Sequence, residues 1–450
     1  MQRLKRIFIG LRTGENFNIL IYLGSSVFSA LAGLVMLRFF TKYLGPEDIG
    51  IFGYVTTVNA FLIPLFTLNL NSFYIKKAYE KQLSSIQVKE LLGTVTIFIF
   101  LWTILLIVIL GATGAFIFEA GNVKFNFYPF MFFTILSNLF LGATSLIILQ
   151  YRILSQAWNY FIFSAVQTVC LIGCSYAFVG IIHWGIYGRI YGTLIGSVVV
   201  GIVSILLLRK HVKCVVRKDF IVEGLKFSLP LVPYTMVVLL FDMLDRIFLV
   251  RYSATMANTG IYNIGAQFAM IISMLSLAIY RAYEPLIFKM VTENREKEMT
   301  SKMIMLNNFM LVTCILFILF SSGIMRYLTN GRFNTSILIA VLLVIAFYFK
   351  AAYFIMNTVL ASFSKTKEIM FFSLIGLAII VISSILLVPV YNSVGTACIK
   401  IGLYLIMCVG SFFLLKKNML YKRFITHTML TGIGLMLFVF FLLKIGYFHG

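Results

Sequence analysis

Residues 91–118 read LLGTVTIFIFLWTILLIVILGATGAFIF, an apolar run without one charged side chain. A bilayer hydrocarbon core about 30 Å thick takes roughly 20 residues of α-helix, so the run is long enough to cross it. A barrel strand would alternate over about ten residues, a period this run and its neighbours lack, and a β-barrel is excluded. Working outward, runs of the same kind predict membrane helices at 17–40, 51–74, 127–149, 160–182, 186–208, 227–251, 258–287, 303–328, 335–360, 369–390 and 393–415. A further apolar stretch at 425–446 spans, lies flat or re-enters. The expected fold is an all-α polytopic membrane protein with 12 or 13 transmembrane helices.

Composition points the same way. With 61% hydrophobic residues, 12% charged and a mean hydropathy of +1.00, the 450-residue chain has too little polar surface to coat a water-soluble globule. A formal charge of +22 would suggest nucleic acid in a soluble protein. Here the Lys and Arg residues lie mostly in short gaps between apolar runs, where cytoplasmic anchoring explains them, and no nucleic-acid partner is expected. Taken on alternate sides, they crowd the amino terminus and the loops 75–90, 209–226, 286–302 and 416–424 and are sparse opposite, so the amino terminus is expected in the cytoplasm. Arg3, Lys5, Arg6 and Arg12 lead into a full-length span, unlike a cleaved signal. Five of the six cysteines fall inside apolar runs, with no disulfide framework and no zinc-ligand spacing.

The basic stretch from Arg209 to Lys226 divides six expected spans from six. Arg38-Phe39-Phe40 followed by Gly50-Ile51-Phe52 echoes Arg246-Ile247-Phe248 followed by Gly260-Ile261-Tyr262, and Gly188 through Lys210 echoes Gly395 through Lys417. Both halves would start in the cytoplasm, as parallel repeats do. The organisation read from this is a six-helix lobe at 1–208, a basic cytoplasmic linker at 209–226, a second six-helix lobe at 227–415, and a basic loop with an additional apolar helix at 416–450.

Leu37-Arg38 through Tyr43-Leu44-Gly45-Pro46-Glu47-Asp48-Ile49-Gly50-Ile51-Phe52 resembles the first-hairpin signature of polysaccharide-transport flippases of the Wzx type, in the multidrug/oligosaccharidyl-lipid/polysaccharide (MOP) exporter superfamily. Phe227-Ser228-Leu229-Pro230-Leu231-Val232-Pro233, Asp245-Arg246, Gly260-Ile261-Tyr262 and Pro285 are similar to the pattern where the second lobe of that family begins. The resemblance covers nearly the whole chain. It implies a MATE-like, V-shaped pair of lobes that opens alternately to each side of a bacterial cytoplasmic membrane. It also implies a cargo, a short oligosaccharide on undecaprenyl diphosphate, and it makes a polysaccharide polymerase and glycosyltransferases the natural partners of a monomeric carrier.

Ionisable side chains inside spans cost about 2.5–3.5 kcal/mol each on insertion scales, so each needs a partner, a wet cavity or a route to the interface. The basic ones are Arg246, Arg281, Lys350 and Lys400, with Arg38 at the outer end of the first span; the acids are Asp242, Asp245 and Glu284. Asp242 with Arg246, and Arg281 with Glu284, have the spacing of an ion pair on one helix face, so structural pairing and substrate contact both stand for these arginines. Lys350 has no acid within two turns on its own helix and lies too deep to snorkel comfortably. Tyr353 and Asn357 extend it as a polar stripe. A diphosphate is a localised anion and needs cations in a low-dielectric cavity, for which Arg38, Arg246, Lys350 and Lys400 are the candidates. Asn59, Asn263, Gln267, Tyr283, Tyr353 and Asn357 are candidate sugar contacts, or else helix-packing polar groups. Asp242 and Asp245 are candidates for a coupling proton or sodium ion, the alternative being plain ion pairing. No cofactor is expected.

A multidrug or cation exporter of the same superfamily is the nearest alternative, disfavoured because basic side chains outnumber acids inside the spans. A membrane glycan polymerase or transferase would need positioned acid/base groups and a substantial loop to hold them. His183, His211, His427 and His449 sit at interfaces, in loops or at the chain end, and no nucleophile or metal constellation is visible.

Overall fold

The structure is a computed structural model that describes residues 14–79, 84–253, 255–293, 295–362, 366–414 and 419–448. Each expected apolar run falls on a helix. In chain order these are α1 (Gly14–Tyr43), α2 (Pro46–Thr67), α3 (Leu70–Tyr79), α4 (Ser85–Ala120), α5 (Phe130–Ile153), α6 (Ala157–Tyr176), α7 (Gly185–Leu208), α8 (Lys218–Ser228), α9 (Leu231–Tyr252), α10 (Met256–Thr292), α11 (Glu296–Thr329), α12 (Thr335–Ser362), α13 (Thr366–Leu414) and α14 (Met419–Lys444). Among the described residues there is no strand. Among the described residues ten helices, or eleven with the bent pair α8–α9 counted as one span, are long and apolar enough to cross a membrane. The chain is an all-α, multi-pass membrane protein.

Local chemistry explains where the helices start and break. Pro46 opens α2 at the position where its missing N–H costs nothing, Glu47 and Asp48 face the positive end of the helix dipole, and Asp48 Oδ2 accepts from the Gly45 N–H at 3.1 Å. Ser84 and Gln87 close a capping box at the start of α4. The run expected as one span at 51–74 is two helices, because Leu68 and Asn69 take left-handed backbone angles (φ 45° and 54°). Asn69 fixes that break by donating its side-chain N–H to Thr235 Oγ1 at 2.9 Å, while its carbonyl accepts from Ser228 Oγ at 3.2 Å.

The chain divides into two compact units. The first holds the residues through Leu44 together with Tyr54–Met243; the second holds Gly45–Gly53 and the residues from Leu244 on. The division therefore runs through α2 and α9 instead of the linker expected at 209–226. The reason is that the basic stretch is docked, not free. Lys213 Nζ and Arg217 reach Glu90 of α4 at 2.7 and 3.5 Å, Thr94 Oγ1 donates to the Val215 carbonyl at 2.9 Å, and Glu223 of α8 pairs with Lys77 of α3 at 2.6 Å. The core of the first unit, around Tyr74, Leu91, Leu92, Ile147 and Val200, takes in Phe220 of α8 and Val232 of α9.

In the second unit α12 is the central helix, with 78% of its membrane-length window buried. It packs on α10, α11, α13 and α14. An unbroken α13 would be about 74 Å long, far more than a bilayer core. Asn392 breaks it (φ 47°, ψ −130°), and Gly376 then lies against Met407 and Leu403 while Gly410 lies against Phe372. The two stretches thus run back along each other as a helical hairpin, matching the expected spans 369–390 and 393–415. The extra apolar stretch forms α14, which accompanies α11 in the same direction. At its midpoint Thr431 Oγ1 and Asn307 Nδ2 meet at Tyr348 Oη, both at 2.6 Å, and just beyond its end Tyr447 Oη donates to the Leu319 carbonyl at 2.7 Å and the Phe448 carbonyl accepts from Arg326 at 3.4 Å. With 26 residues, about 39 Å of helix, α14 is itself long and apolar enough to cross a membrane.

Candidate functional site

Asp245 of α9 is at the centre of the second unit's polar core. Its Oδ2 accepts from the Tyr262 hydroxyl of α10 at 2.6 Å and forms an ion pair with Lys400 Nζ from the second stretch of α13. All three side chains are buried, with Asp245 4% and Lys400 5% exposed. A buried carboxylate or ammonium is tolerable only when paired and hydrogen-bonded, and here three helices supply the pairing. Sequence spacing did not reveal this partnership, because Asp245 and Lys400 are separated by 155 positions.

The next residue, Arg246, donates from Nε to Asn263 Oδ1 at 2.5 Å, and Asn263 Nδ2 donates onward to the Ile49 carbonyl at 3.4 Å. This chain depends on a close helix crossing within the second unit. A Cβ on Gly53 would stand 1.2 Å from Asn263 Nδ2, and one on Gly260 would stand 1.8 Å from the Pro46 carbonyl oxygen. The hairpin motif that begins at Gly45 is thus seated on the start of α10. Asn263, 1% exposed, is a packing and bridging group here.

Lys350 is half-buried, roughly 22 Å along α12 from Thr335 and 18 Å from Ser362. Its ammonium stands 5.5 Å from the Phe347 ring centroid and 5.6 Å from those of Phe354 and Tyr404. Contacts of this kind are worth about 0.5–2 kcal/mol each, depending on desolvation. Tyr404 lies one helical turn beyond Lys400, so the aromatic surround of Lys350 and the Asp245–Lys400 pair adjoin along α13. Of the expected polar stripe, Asn357 is half-buried and Tyr353 buried. Tyr262 and Tyr404 were absent from the candidates chosen by sequence; only the Gly260-Ile261-Tyr262 motif pointed near them.

In the first unit Asn59 of α2 and Asn138 of α5 exchange amide hydrogen bonds at 2.7 and 3.4 Å. They line a cavity of about 390 Å³ together with Asn71, Thr103, Arg152 and Gln167. Arg38 is half-buried near the end of α1, where its carbonyl accepts from Thr41 Oγ1 at 3.2 Å. Asp242 and Arg281 lie on α9 and α10, and their side chains fall outside the described residues. Among the described residues no three His, Cys, Asp or Glu side chains are grouped so as to hold a metal ion.

The profile of a protein family described as polysaccharide biosynthesis protein matches residues 17–291. Among curated protein sequences none matches the chain. Among solved structures, the lipid II flippase MurJ in an inward closed conformation superposes with a TM-score of 0.72 at 16% identity, over 93% of this chain and 92% of that one. An inward-facing multidrug resistance transporter of the MATE family in the MOP superfamily gives 0.64 at 14% identity, over 89% and 95%. A MOP superfamily transporter from Pyrococcus furiosus, described as having a binding pocket of reverse polarity, gives 0.52 at 13% identity, over 93% and 95%. At these identities the likeness concerns the fold, which is that of the MOP exporters.

Proposed function

The chain belongs to the polysaccharide biosynthesis protein family, whose profile covers more than half of its length, and on that footing we propose that it flips an undecaprenyl-diphosphate-linked oligosaccharide across the cytoplasmic membrane of a bacterium. The movement is by alternating access, from the cytoplasmic to the outer leaflet, and serves the building of a surface polysaccharide such as O-antigen, capsule or exopolysaccharide. The amino terminus is cytoplasmic, the protein acts as a carrier instead of an enzyme, and glycosyltransferases and a polymerase act before and after it.

The observation that supports this reading most is Lys350, a half-exposed cation midway along the central helix of its unit. A diphosphate leaving water must be met by charge that is already in place, and an ammonium inside a low-dielectric span supplies it. Lys400 stands one helical turn from Tyr404, which borders Lys350, but its charge is taken up by Asp245, so it would serve the head group only when that pair opens; Arg246 and Arg38 are the further candidate cations. The cation-exporter alternative loses ground at Asp245, whose charge is already compensated by Lys400 and Tyr262 and offers little to an organic cation. Asp242 and Asp245 are the candidates for a coupling proton or sodium ion, with plain ion pairing as the alternative; at Asp245 coupling would require release of Lys400.

In a strain lacking its own flippase but supplying the matching lipid-linked glycan, the wild-type chain should restore surface polysaccharide. Lys350→Ala should reduce it at least about tenfold at equal membrane abundance, the scale of one lost charge-assisted contact. Full restoration by Lys350→Ala would remove Lys350 from the cargo path.

A further inference from the structure

The cavity of the first unit lies outside the charge network of the second and has a different chemistry. Its walls come from α2 to α6, and its polar lining is amides and hydroxyls, chiefly Asn59, Asn71, Asn138, Gln167, Thr103 and Ser145. No carboxylate lines it, and Arg152 is the one ionic side chain among the described residues that do. Arg152 is exposed near the end of α5, 3.4 Å from the Tyr160 hydroxyl, and marks the open end of the cavity.

Asn71 Oδ1 is buried with no hydrogen-bond partner. Buried acceptors are nearly always satisfied, so an unsatisfied one on a residue that lines a cavity is a contact that a ligand would fill by turning the Asn71 amide toward it. Its position is fixed by the neighbouring break in the chain, where Asn69 is tied to Thr235 and Ser228. Asn59 and Asn138 each spend one N–H and one oxygen lone pair on the other and keep a second of each. The wall therefore offers donors and acceptors side by side without charge. A phosphate here would lack deep cations, an organic cation would find no carboxylate, and a hydrocarbon tail would leave Asn71 stranded. A sugar fits, since each of its hydroxyls both donates and accepts, and about 390 Å³ falls within the about 300–1,000 Å³ range of small-molecule sites.

We propose that this cavity receives one sugar unit of the cargo and reads its hydroxyl or acetamido pattern through Asn71, Asn59 and Asn138. The proposal rests on the flippase reading and adds to it a carbohydrate subsite separate from the cations that take the diphosphate. The sugar enters at the Arg152 end and the amides hold it.

The test uses the full-length protein in lipid nanodiscs and two probes, undecaprenyl diphosphate alone and the lipid-linked oligosaccharide pool extracted from cells depleted of this protein. Asn71→Leu keeps the side-chain size and removes the acceptor. Gly142→Leu fills the cavity, because a Cβ there meets only Ile99 Cγ2 at 3.7 Å. Both variants should weaken the glycosylated probe at least about tenfold while moving the bare lipid less than about twofold, and Lys350→Ala should weaken both probes alike. Wild-type affinity for the glycosylated probe in either variant, or an equal loss for both probes, would overturn the sugar subsite. Wild-type protein that binds both probes equally would also overturn it and leave the flippase reading standing; wild-type protein that binds neither would sink both.

Discussion

Asp245, Lys400 and Tyr262 illustrate how a membrane core handles charge at the scale of single residues. Each ion in the pair would be costly alone, and the cost is met by a partner from another helix. Removing one partner from such a pair destabilises by about 3–5 kcal/mol, whereas replacing both by apolar groups of similar volume is near neutral. Lys400→Met is therefore expected to lower the unfolding midpoint in detergent strongly, and Asp245→Leu with Lys400→Met to recover most of it; a single variant as stable as wild type would show that the pair is not sealed from water. Lys350 differs because it is half-exposed and bordered by rings. The sequence made Lys350 and Lys400 conspicuous as intramembrane cations, since their rarity in spans needs no structure to notice. It could not tell that one is sequestered by Asp245 and the other borders Tyr404, because those relations join residues far apart in the chain. The i to i+4 spacing drew attention to Asp242 with Arg246, while the described bond of Arg246 goes to Asn263.

At the scale of helices, hydrophobic runs made almost every element legible, since length and polarity suffice to mark a span. What they concealed were breaks. Leu68 and Asn69 lie inside a continuous pattern, and only the left-handed backbone held by Thr235 and Ser228 divides α2 from α3. The basic stretch after α7 reads as a linker by charge but docks on Glu90 and Lys77. The seat of α2 on α10 makes its own prediction. Gly53→Ala must displace Asn263 and with it the bond to Arg246, and should cost about 1–3 kcal/mol by overpacking, with a matching loss of glycan export. A Gly53→Ala variant with unchanged melting and export would show that the crossing yields freely. The course of α14 beside α11 predicts that its two ends face opposite sides of the membrane. With the amino terminus in the cytoplasm, a phosphatase fused after Lys444 should be active and one fused within 416–418 inactive; the reverse pattern at the far end would mean that α14 turns back.

For the molecule as a whole, the two units divide polar chemistry between them. The first offers an uncharged amide cavity around Asn59, Asn71 and Asn138, and the second the half-exposed Lys350 near the buried Asp245–Lys400 pair. A lipid-linked glycan carries both kinds of group, neutral sugar and charged diphosphate. The excess of intramembrane cations over acids was visible in the sequence; the amide cavity was not, because Asn59 and Asn138 are 79 positions apart. The most direct measurement of the central claim is translocation of a fluorescent undecaprenyl-diphosphate oligosaccharide in proteoliposomes, with and without imposed proton or sodium gradients. Wild-type protein should move the probe to the opposite leaflet, faster under a driving gradient, and Lys350→Ala should be slower by at least about tenfold. Wild-type vesicles that leave the probe in place yet transport an organic cation would contradict the account.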